Sequence, residues 1–187
     1  MTAESCANGT ERCADALRRM GSDFDIVVNL QGDAPLTPAW FVEGIVAALA
    51  EDAAAQMATP VLRCDGAALN GFLEDRAEGR VGGTTAVFAR NGHALYFSKA
   101  IIPYRREDAG VPVYKHIGLY AYRAGFLRDY PQLPVSGLER LEQLEQLRAL
   151  EAGVTIEVAD AIEAPGPGID TADDLLVAEA RLSEEGA

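Results

Sequence analysis

The 187-residue chain lacks several features that mark other classes of protein. It has no apolar run of membrane-spanning length and no basic and apolar signal-peptide regions at its amino terminus, so we expect a cytoplasmic protein. Its cysteines, Cys6, Cys13 and Cys64, lack zinc-ligand spacing and are expected to be reduced thiols. Basic residues are also few, since 16 Lys and Arg stand against 29 Asp and Glu, for a net charge of −13. Such a surface makes nucleic acid and anionic membranes poor partners, and an anionic ligand would need local cations.

The most informative stretch runs from residue 25 to residue 35. Its β-branched run, Ile26-Val27-Val28, predicts a buried strand, and Gly32 and Pro35 predict that this strand ends abruptly. Ligands of open α/β sheets bind at the carboxyl ends of strands, so Asp33 is the first candidate for chemistry. The alternative is that Asp33 only forms a turn or the start of the following helix.

The remaining pattern predicts alternating helices and strands. Thr10 is expected to cap a helix over 13–20 that ends at Gly21, and Asn91-Gly92 is expected to turn a hairpin. Further helices are predicted over 38–51, 123–130 and 138–151, strands over 56–62, 84–89, 94–97, 113–122 and 154–159, and a loop over 70–80. We therefore predict one α/β domain over residues 1–187, with a mixed sheet because of the hairpin.

A second carboxylate, Asp170, stands just before the final predicted helix and could likewise serve only to stabilise a helix start. If the fold brings Asp33 and Asp170 together, their oxygens form a site suited to Mg²⁺. The one strongly basic stretch, residues 98–106, would then complete a site for metal-assisted phosphoryl or nucleotidyl transfer. A lone histidine in a strand, such as His116, is more often structural than a ligand.

Seven short blocks of the sequence occur in the order that one enzyme family shows. They are GTER at 9–12, VNLQGDAP at 28–35, ALYFSK at 94–99, IPY at 102–104, HIGLYAYRAGF at 116–126, LEQLR at 144–148 and GIDT at 168–171. On these blocks the chain resembles the 3-deoxy-manno-octulosonate (Kdo) cytidylyltransferases, which join CTP to the acid sugar Kdo and release pyrophosphate, giving CMP-Kdo for lipopolysaccharide biosynthesis.

The resemblance implies a GT-A-like, mixed and mostly parallel sheet flanked by helices, a homodimer, and Mg²⁺ as cofactor. It implies that Asp33 and Asp170 are catalytic residues that hold the metal. It further implies that the cytidine nucleotide lies against Thr10, Arg12 and Gln31. The residues that it assigns to the Kdo pocket are Lys99, Arg106, His116, Tyr120, Glu145 and Gln146.

The sequence departs from the family pattern in three places. Ala34 stands where the family generally has Glu, and Lys99 stands where Arg is frequent, which removes a bidentate fork for the sugar carboxylate. The family's basic phosphate loop and first strand, expected before residue 9, have no counterpart in this sequence, so we expect a truncated and weak or inactive member. Two alternatives remain open, a cytidylyltransferase for another acid sugar such as sialic acid, and a non-catalytic remnant that dimerises or binds nucleotide.

Overall fold

The structure is a computed structural model that describes residues 1–21, 23–32, 34, 36–106, 110–161, 175–176, 178–180 and 183. Its helices are α1 (Gly9–Met20), α2 (Ala39–Glu51), α3 (Gly66–Ala77), α4 (Ala124–Asp129), α5 (Gly137–Glu142) and α6 (Gln146–Glu151), with a 3₁₀ turn at Tyr130–Gln132. Its strands are β1 (Ile26–Asn29), β2 (Met57–Arg63), β3 (Thr84–Phe88), β4 (Ala94–Ser98), β5 (Tyr114–His116), β6 (Tyr120–Arg123) and β7 (Ile156–Ala161). No helix among the described residues is both long and apolar enough to span a bilayer.

The seven strands form one mixed sheet in the order β1-β6-β2-β5-β3-β4, and β7 pairs with β2. The α/β class and the mixed sheet are thus confirmed. The expectation of a mostly parallel sheet is wrong for the described strands, because β2·β7 is their one parallel ladder. The antiparallel β5 and β6 pair with β2, and β6 also separates β1 from β2. Because β1 and β2 both run against β6, they point in the same direction, and so does β7.

Alternation along the strands divides the core between the two faces of the sheet. On β6, Tyr120 and Tyr122 pack into one buried cluster, while Ala121 packs into the other. The first cluster contains residues of α1, α4 and α6, and the second contains Phe41 and Ile45 of α2. The sheet therefore lies between two helical layers, as its period-2 pattern requires.

Helix α1 begins earlier than the sequence predicts. The side chain of Asn8 accepts a hydrogen bond from the backbone N–H of Glu11 at 2.9 Å and caps the helix. The prediction of Thr10 as the cap is wrong, because Thr10 is already inside the first turn. The end at Gly21 is confirmed, and the φ of 62° at this residue is the left-handed conformation that glycine adopts most readily.

The loop predicted over 70–80 is largely the helix α3. Asp65 caps α3, because its carboxylate accepts a hydrogen bond from the N–H of Ala68 at 2.7 Å. Phe72 is the buried residue of α3. Arg76 donates to the carbonyls of Lys99 and Gly83. Tertiary contacts of this kind outweigh a polar, glycine-containing composition that by itself favours a loop.

The single helix predicted over 138–151 is two helices, α5 and α6. Gln143, with a φ of 57°, ends α5 in the left-handed conformation. Leucines at every third position cannot all lie on one face of a continuous helix. With the helix broken at Gln143, the leucines on either side of the break can face different directions. Leu141 is 83% exposed on α5, whereas Leu144 and Leu147 are buried beyond the break. The break therefore turns the start of α6 towards α1.

Candidate active site

A cleft of about 480 Å³ lies between the start of α1 and the carboxyl end of β1. Its lining residues are Thr2, Gly9, Arg12, Cys13, Ala16, Asn29, Leu30, Gln31 and Gly32. Two of the three residues assigned to the nucleotide, Arg12 and Gln31, are thus on its wall. Arg12 is exposed, and its guanidinium lies 3.4 Å from the hydroxyl of Thr2.

At Gly9 the backbone of α1 comes close to side chains on the other side of the cleft. A Cβ at this position would lie 2.9 Å from Asn29 Nδ2, 3.5 Å from Glu145 Oε1 and 3.6 Å from Gln31 Nε2. The absence of a side chain at Gly9 therefore allows three polar groups from β1, the following loop and the start of α6 to converge on the start of α1.

Thr10 is held inside the protein rather than presented to the cleft. Its hydroxyl lies 2.7 Å from the hydroxyl of Tyr122, and its backbone N–H donates to Glu145 Oε2 at 3.0 Å. The contact with Glu145 joins α1 to α6 directly. The structure therefore gives Thr10 a positioning role between the two helices.

Beneath the cleft lies a layer of polar side chains buried in the sheet. The hydroxyl of Tyr120 donates to Gln146 Oε1 at 3.1 Å. Burial, and then the neighbouring Glu145 carboxylate, raise the pKa of Tyr120 well above its usual value, so its hydroxyl keeps its proton. Burial also raises the pKa of Glu145, although the N–H of Thr10 opposes this shift. The layer is therefore neutral at its tyrosines and carries its acidic group at Glu145.

Two buried amide nitrogens in this layer, Asn29 Nδ2 and Gln146 Nε2, have no hydrogen-bond partner among the described residues. Asn29 lines the cleft and Gln146 does not, so of these two donors Asn29 Nδ2 is the one that a ligand in the cleft can meet. Gln146 is among the residues assigned to the site from the sequence, and Asn29 is not. The signal was an asparagine that ends an otherwise apolar strand at a predicted ligand edge.

Arg148 links α6 to α1 and α5 through buried ion pairs. Its guanidinium binds Glu139 through Nε at 2.7 Å and Nη2 at 2.6 Å, and binds Glu11 Oε1 of α1 through Nη1 at 2.9 Å. It also lies 4.8 Å from the centre of the Tyr130 ring. The hydrogen bonds of Glu139, outweighing burial, raise the pKa of Arg148 above its already high value, so it is a permanent cation. The network ties α1, α5 and α6 into one support for the cleft.

Of the six residues assigned to the sugar pocket, four lie near one another, since the His116 ring is 5.5 Å from that of Tyr120, and two, Lys99 and Arg106, lie on the segment after β4. Tyr120, Glu145 and Gln146 lie together in the buried layer. Lys99 lies after β4, and its backbone N–H donates to Glu142 Oε2 at 2.7 Å, whereas Arg106 is exposed at the end of a described segment.

His116 is buried in the sheet, with Nε2 2.9 Å from the hydroxyl of Thr59 and its ring 5.0 Å from that of Phe97. Burial, and then Lys99, lower the pKa of His116 to about 3, so the imidazole is neutral at pH 7. These surroundings give His116 a structural role in the sheet, and its assignment to the sugar pocket stays a prediction.

The two expected metal ligands, Asp33 and Asp170, lie outside the described residues. Asp33 directly follows Gly32 of the cleft lining in the sequence. Within the described part of the chain, one group of side chains, Asp52, His93 and Glu157, has ligand atoms close enough to share a metal ion. It lies away from the cleft.

The cleft therefore offers a ligand the guanidinium of Arg12 and the side-chain amides of Asn29 and Gln31, and the Glu145 carboxylate lies close to it at Gly9. Amide donors and an arginine suit a polar ligand that bears acceptor groups, such as a nucleotide. Cys13 also lines the cleft, but burial, and then Glu145, raise the pKa of its thiol, so it keeps its proton and is a poor nucleophile. This composition fits a transfer reaction that depends on positioning and charge stabilisation.

Comparison with known proteins identifies relatives over almost the whole chain. The family model of the cytidylyltransferases matches residues 1–156. A 3-deoxy-manno-octulosonate cytidylyltransferase of Maricaulis maris (strain MCS10) is 43% identical over 189 residues, which covers 100% of this chain and 73% of the relative. An 8-amino-3,8-dideoxy-manno-octulosonate cytidylyltransferase of Shewanella pealeana (strain ATCC 700345 / ANG-SQ1) is 41% identical, covering 98% of this chain and 72% of the relative.

Two solved structures are also similar to this chain in fold. A CMP:2-keto-3-deoxy-manno-octonic acid synthetase complexed with CTP superimposes with a TM-score of 0.86 at 34% identity, over 99% of this chain and 72% of that one. A 4-diphosphocytidyl-2C-methyl-D-erythritol synthase from Anaerococcus prevotii gives a TM-score of 0.57 at 12% identity, covering 95% of this chain and 67% of that one. The second likeness shows a common fold.

Proposed function

Because the chain belongs to the cytidylyltransferase family, we propose that it transfers CMP from CTP to Kdo, giving CMP-Kdo and pyrophosphate. The single observation that carries this proposal is the 34% identical CTP complex that superimposes on 99% of the chain. The cleft between α1 and β1 supplies the donors that a nucleotide needs. The product would serve lipopolysaccharide biosynthesis, and the reaction would take place in the cytoplasm, where CTP is made.

In the proposed reaction, the oxygen of the Kdo anomeric hydroxyl attacks the α-phosphorus of CTP in line. A new P–O bond forms, the bond to the β-phosphate breaks, and pyrophosphate leaves with its electron pair while the hydroxyl proton passes to solvent. Arg12 and Gln31 bind the nucleotide, and Tyr120 and Gln146 bind the sugar. Their fixed positions hold the reacting atoms in line, and positioning of this kind is a large part of the rate in phosphoryl transfer.

We assign Mg²⁺ to Asp33 and Asp170 on the strength of the resemblance. Carboxylate oxygens suit this hard cation, and when bound it neutralises charge on the triphosphate. Asp33 follows the cleft residue Gly32 in sequence, which supports its part in this assignment.

We also propose a homodimer, as the resemblance implies. An apolar surface on β4 and α5 supports it, because Leu95 and Leu141 are exposed on these two elements. The hydroxyl of Tyr96 on β4 donates to Glu142 of α5 at 3.3 Å, so the two elements are neighbours. Sedimentation of wild-type protein and of Leu141→Glu tests this, and equal sedimentation of the two would exclude Leu141 from the interface.

A second candidate substrate is 8-amino-3,8-dideoxy-manno-octulosonate. The Shewanella relatives that carry this name are 41–42% identical to the chain, and the relatives named for Kdo are 40–44% identical. The replacement of the frequent Arg by Lys99 in the predicted sugar pocket alters the binding of the carboxylate that both sugars share. It therefore does not discriminate between them.

Release of pyrophosphate with CTP, Mg²⁺ and each of three sugars, Kdo, its 8-amino analogue and a sialic acid, tests the proposal. We expect release with Kdo and a product of the mass of CMP-Kdo. Release of pyrophosphate with the 8-amino sugar alone would mean that this sugar, and not Kdo, is the substrate. Release with sialic acid alone, or with none of the three by folded protein, would overturn it.

A further inference from the structure

A cluster of one histidine and two carboxylates lies beside β7, on the face of the sheet that α2 covers. Asp52 follows the last turn of α2, His93 follows the turn between β3 and β4, and Glu157 is the second residue of β7. Through the pairing of β7 with β2, β2 with β6 and β6 with β1, Glu157 is level with Val28 but three strands away from it. The residues of this row, Ala58, Ala121 and Val28, face the α2 side of the sheet, whereas the cleft lies on the α1 side. The cluster is therefore separate from the proposed site of nucleotide transfer.

The three side chains direct their ligand atoms at one point. His93 Nε2 lies 2.6 Å from Asp52 Oδ2 and 3.7 Å from Glu157 Oε2, and all three atoms lie within 4.8 Å of one another. The other oxygen of Asp52 accepts from the backbone N–H of Ala54 at 2.8 Å, which fixes the carboxylate. A contact with the other ring nitrogen, His93 Nδ1, comes from the side-chain amide of Asn91 at 3.0 Å. Fixed outer partners of this kind are typical of metal ligands.

The charges in the cluster are not balanced. Among the described residues, neither Asp52 nor Glu157 forms an ion pair with Lys or Arg. Arg123, which lies nearby, is directed to the backbone carbonyls of Leu49, Asp52 and Ala55. Two carboxylates therefore share one imidazole, with no Lys or Arg side chain among the described residues to balance them.

Glu157 supplies an independent sign that a ligand is missing. Its Oε2 atom is buried and has no hydrogen-bond partner among the described residues. Its carboxylate packs against Gly92, where a Cβ would collide with it and where φ is 88°. A buried carboxylate oxygen without a partner is costly, and the turn is shaped to admit this carboxylate.

We propose that Asp52, His93 and Glu157 bind a divalent transition metal, with Zn²⁺ as the ion that the ligands fit best. One imidazole nitrogen and two carboxylate oxygens are zinc ligands, and a water would complete the tetrahedron. Zinc–ligand bonds of about 2.0–2.1 Å place ligand atoms about 3.4 Å apart, so Asp52 need move from His93 by only about 0.8 Å. His93 and Glu157 already have nearly this separation.

The bound metal would fasten the β3–β4 hairpin to the opposite helical layer. At present β7 holds the turn through the N–H of Val158, which donates to the carbonyl of Gly92 at 2.9 Å. A metal shared by the turn, the end of α2 and β7 would add a second attachment at the same place. The site is thus structural, and its loss should leave the transfer reaction itself unchanged.

Metal titration of the chelator-treated 187-residue chain tests the proposal. We expect calorimetry to detect one Zn²⁺ that is lost in His93→Gln and in Asp52→Asn, and Zn²⁺ to raise the thermal midpoint of wild-type protein. Asn91→Ala should weaken binding by about 10–100-fold, the usual effect of removing an outer partner. The matched control is Glu51→Gln, which removes an exposed carboxylate next to Asp52 and should bind as wild type.

A second readout does not depend on any variant. The chain has two histidines, His93 and His116, so imidazole NMR signals identify the ligand directly. Zn²⁺ should shift the His93 ring and leave the buried His116 ring unchanged. Zn²⁺ binding that is equal in wild type and His93→Gln, or no shift of the His93 ring, would overturn the proposal. The outcome is distinguishable from failure of the proposed function, because pyrophosphate release is measured with Mg²⁺ and CTP.

Discussion

Replacing Arg148 by methionine tests how the cleft is supported. The substitution keeps an unbranched side chain of similar length and removes the charge that joins Glu139 to Glu11. Arg148 is 3% exposed, and its partners are 11% and 18% exposed, so solvent cannot replace the lost contacts. The substitution also removes the guanidinium that lies over the Tyr130 ring, 4.8 Å from the ring centre.

The expected cost follows from what remains behind. Breaking a buried ion pair on one side costs about 3–5 kcal/mol, because the partner charge stays buried without compensation. For a chain of this size, each kcal/mol lowers the thermal midpoint by about 2–4 °C, so the shift should be about 6–20 °C. The Lys variant keeps the charge and loses the bidentate fork to Glu139, and it should show an intermediate loss.

Urea unfolding followed by circular dichroism measures the free energy of unfolding of each variant. The matched control is Arg140→Met, which removes an exposed arginine of α5 and should change stability by less than about 0.5 kcal/mol. A loss of less than about 1 kcal/mol in Arg148→Met would refute the reasoning. It would mean that the network is a surface-like ion pair with no part in fixing α6 beside α1.

Three further predictions concern single positions. Gly9→Ala should weaken CTP binding about tenfold or more by calorimetry, because its Cβ displaces the Asn29 amide, whereas Gly44→Ala, in open space on α2, should bind CTP normally. In wild-type protein, the unfolded state protonates His116 below about pH 6.5 and the folded state only near pH 3, so stability should fall as pH falls from 6.5 to 5, by up to about 1.4 kcal/mol per unit. In urea titrations, His116→Gln should flatten that slope. Gln143→Gly should raise the free energy of unfolding by about 0.5–1 kcal/mol, because glycine adopts the left-handed conformation without strain.

Each of these has an outcome that contradicts it. Equal CTP affinity of the Gly9 and Gly44 variants would show that the start of α1 does not bound the nucleotide site. An unchanged slope in His116→Gln would show that the imidazole titrates in the folded state. A loss of stability in Gln143→Gly would show that the side chain, whose Nε2 donates to the carbonyl of Arg140 at 2.7 Å, contributes more than the strain costs.

The layers of the fold could be predicted from the sequence because they depend on periodicity. The β-branched run at 26–28 and the turn at Asn91-Gly92 predict a strand and a hairpin from local pattern alone, and both are confirmed. The expected burial of that run is wrong, because Ile26, Val27 and Val28 are only half-buried. The wrong predictions concern segments whose structure depends on tertiary contacts. Phe72 and Arg76 stabilise α3 against its composition, and the exposed Leu141 marks a helix break that leucine spacing suggests without locating it.

The candidate site was predictable to the extent that it follows the end of a strand. Gln31 and Arg12 line the cleft because they follow β1 and begin α1. The convergence of Asn29, Gly9 and Glu145 was not predictable, because it joins residues more than 100 positions apart in the sequence through a single close approach. The sequence could likewise not assign Thr10 to the interior, since its partner Tyr122 is distant in sequence.

Calorimetric titration of the folded 187-residue chain with CTP in the presence of Mg²⁺ is the most direct test of the claim that this cleft binds the nucleotide. We predict one CTP per chain, with binding weakened in Gln31→Ala and unchanged in Leu73→Ala, which alters an exposed residue of α3 outside the cleft. Absence of binding by protein with a native circular dichroism spectrum, or equal affinity of the wild type and Gln31→Ala, would contradict the account.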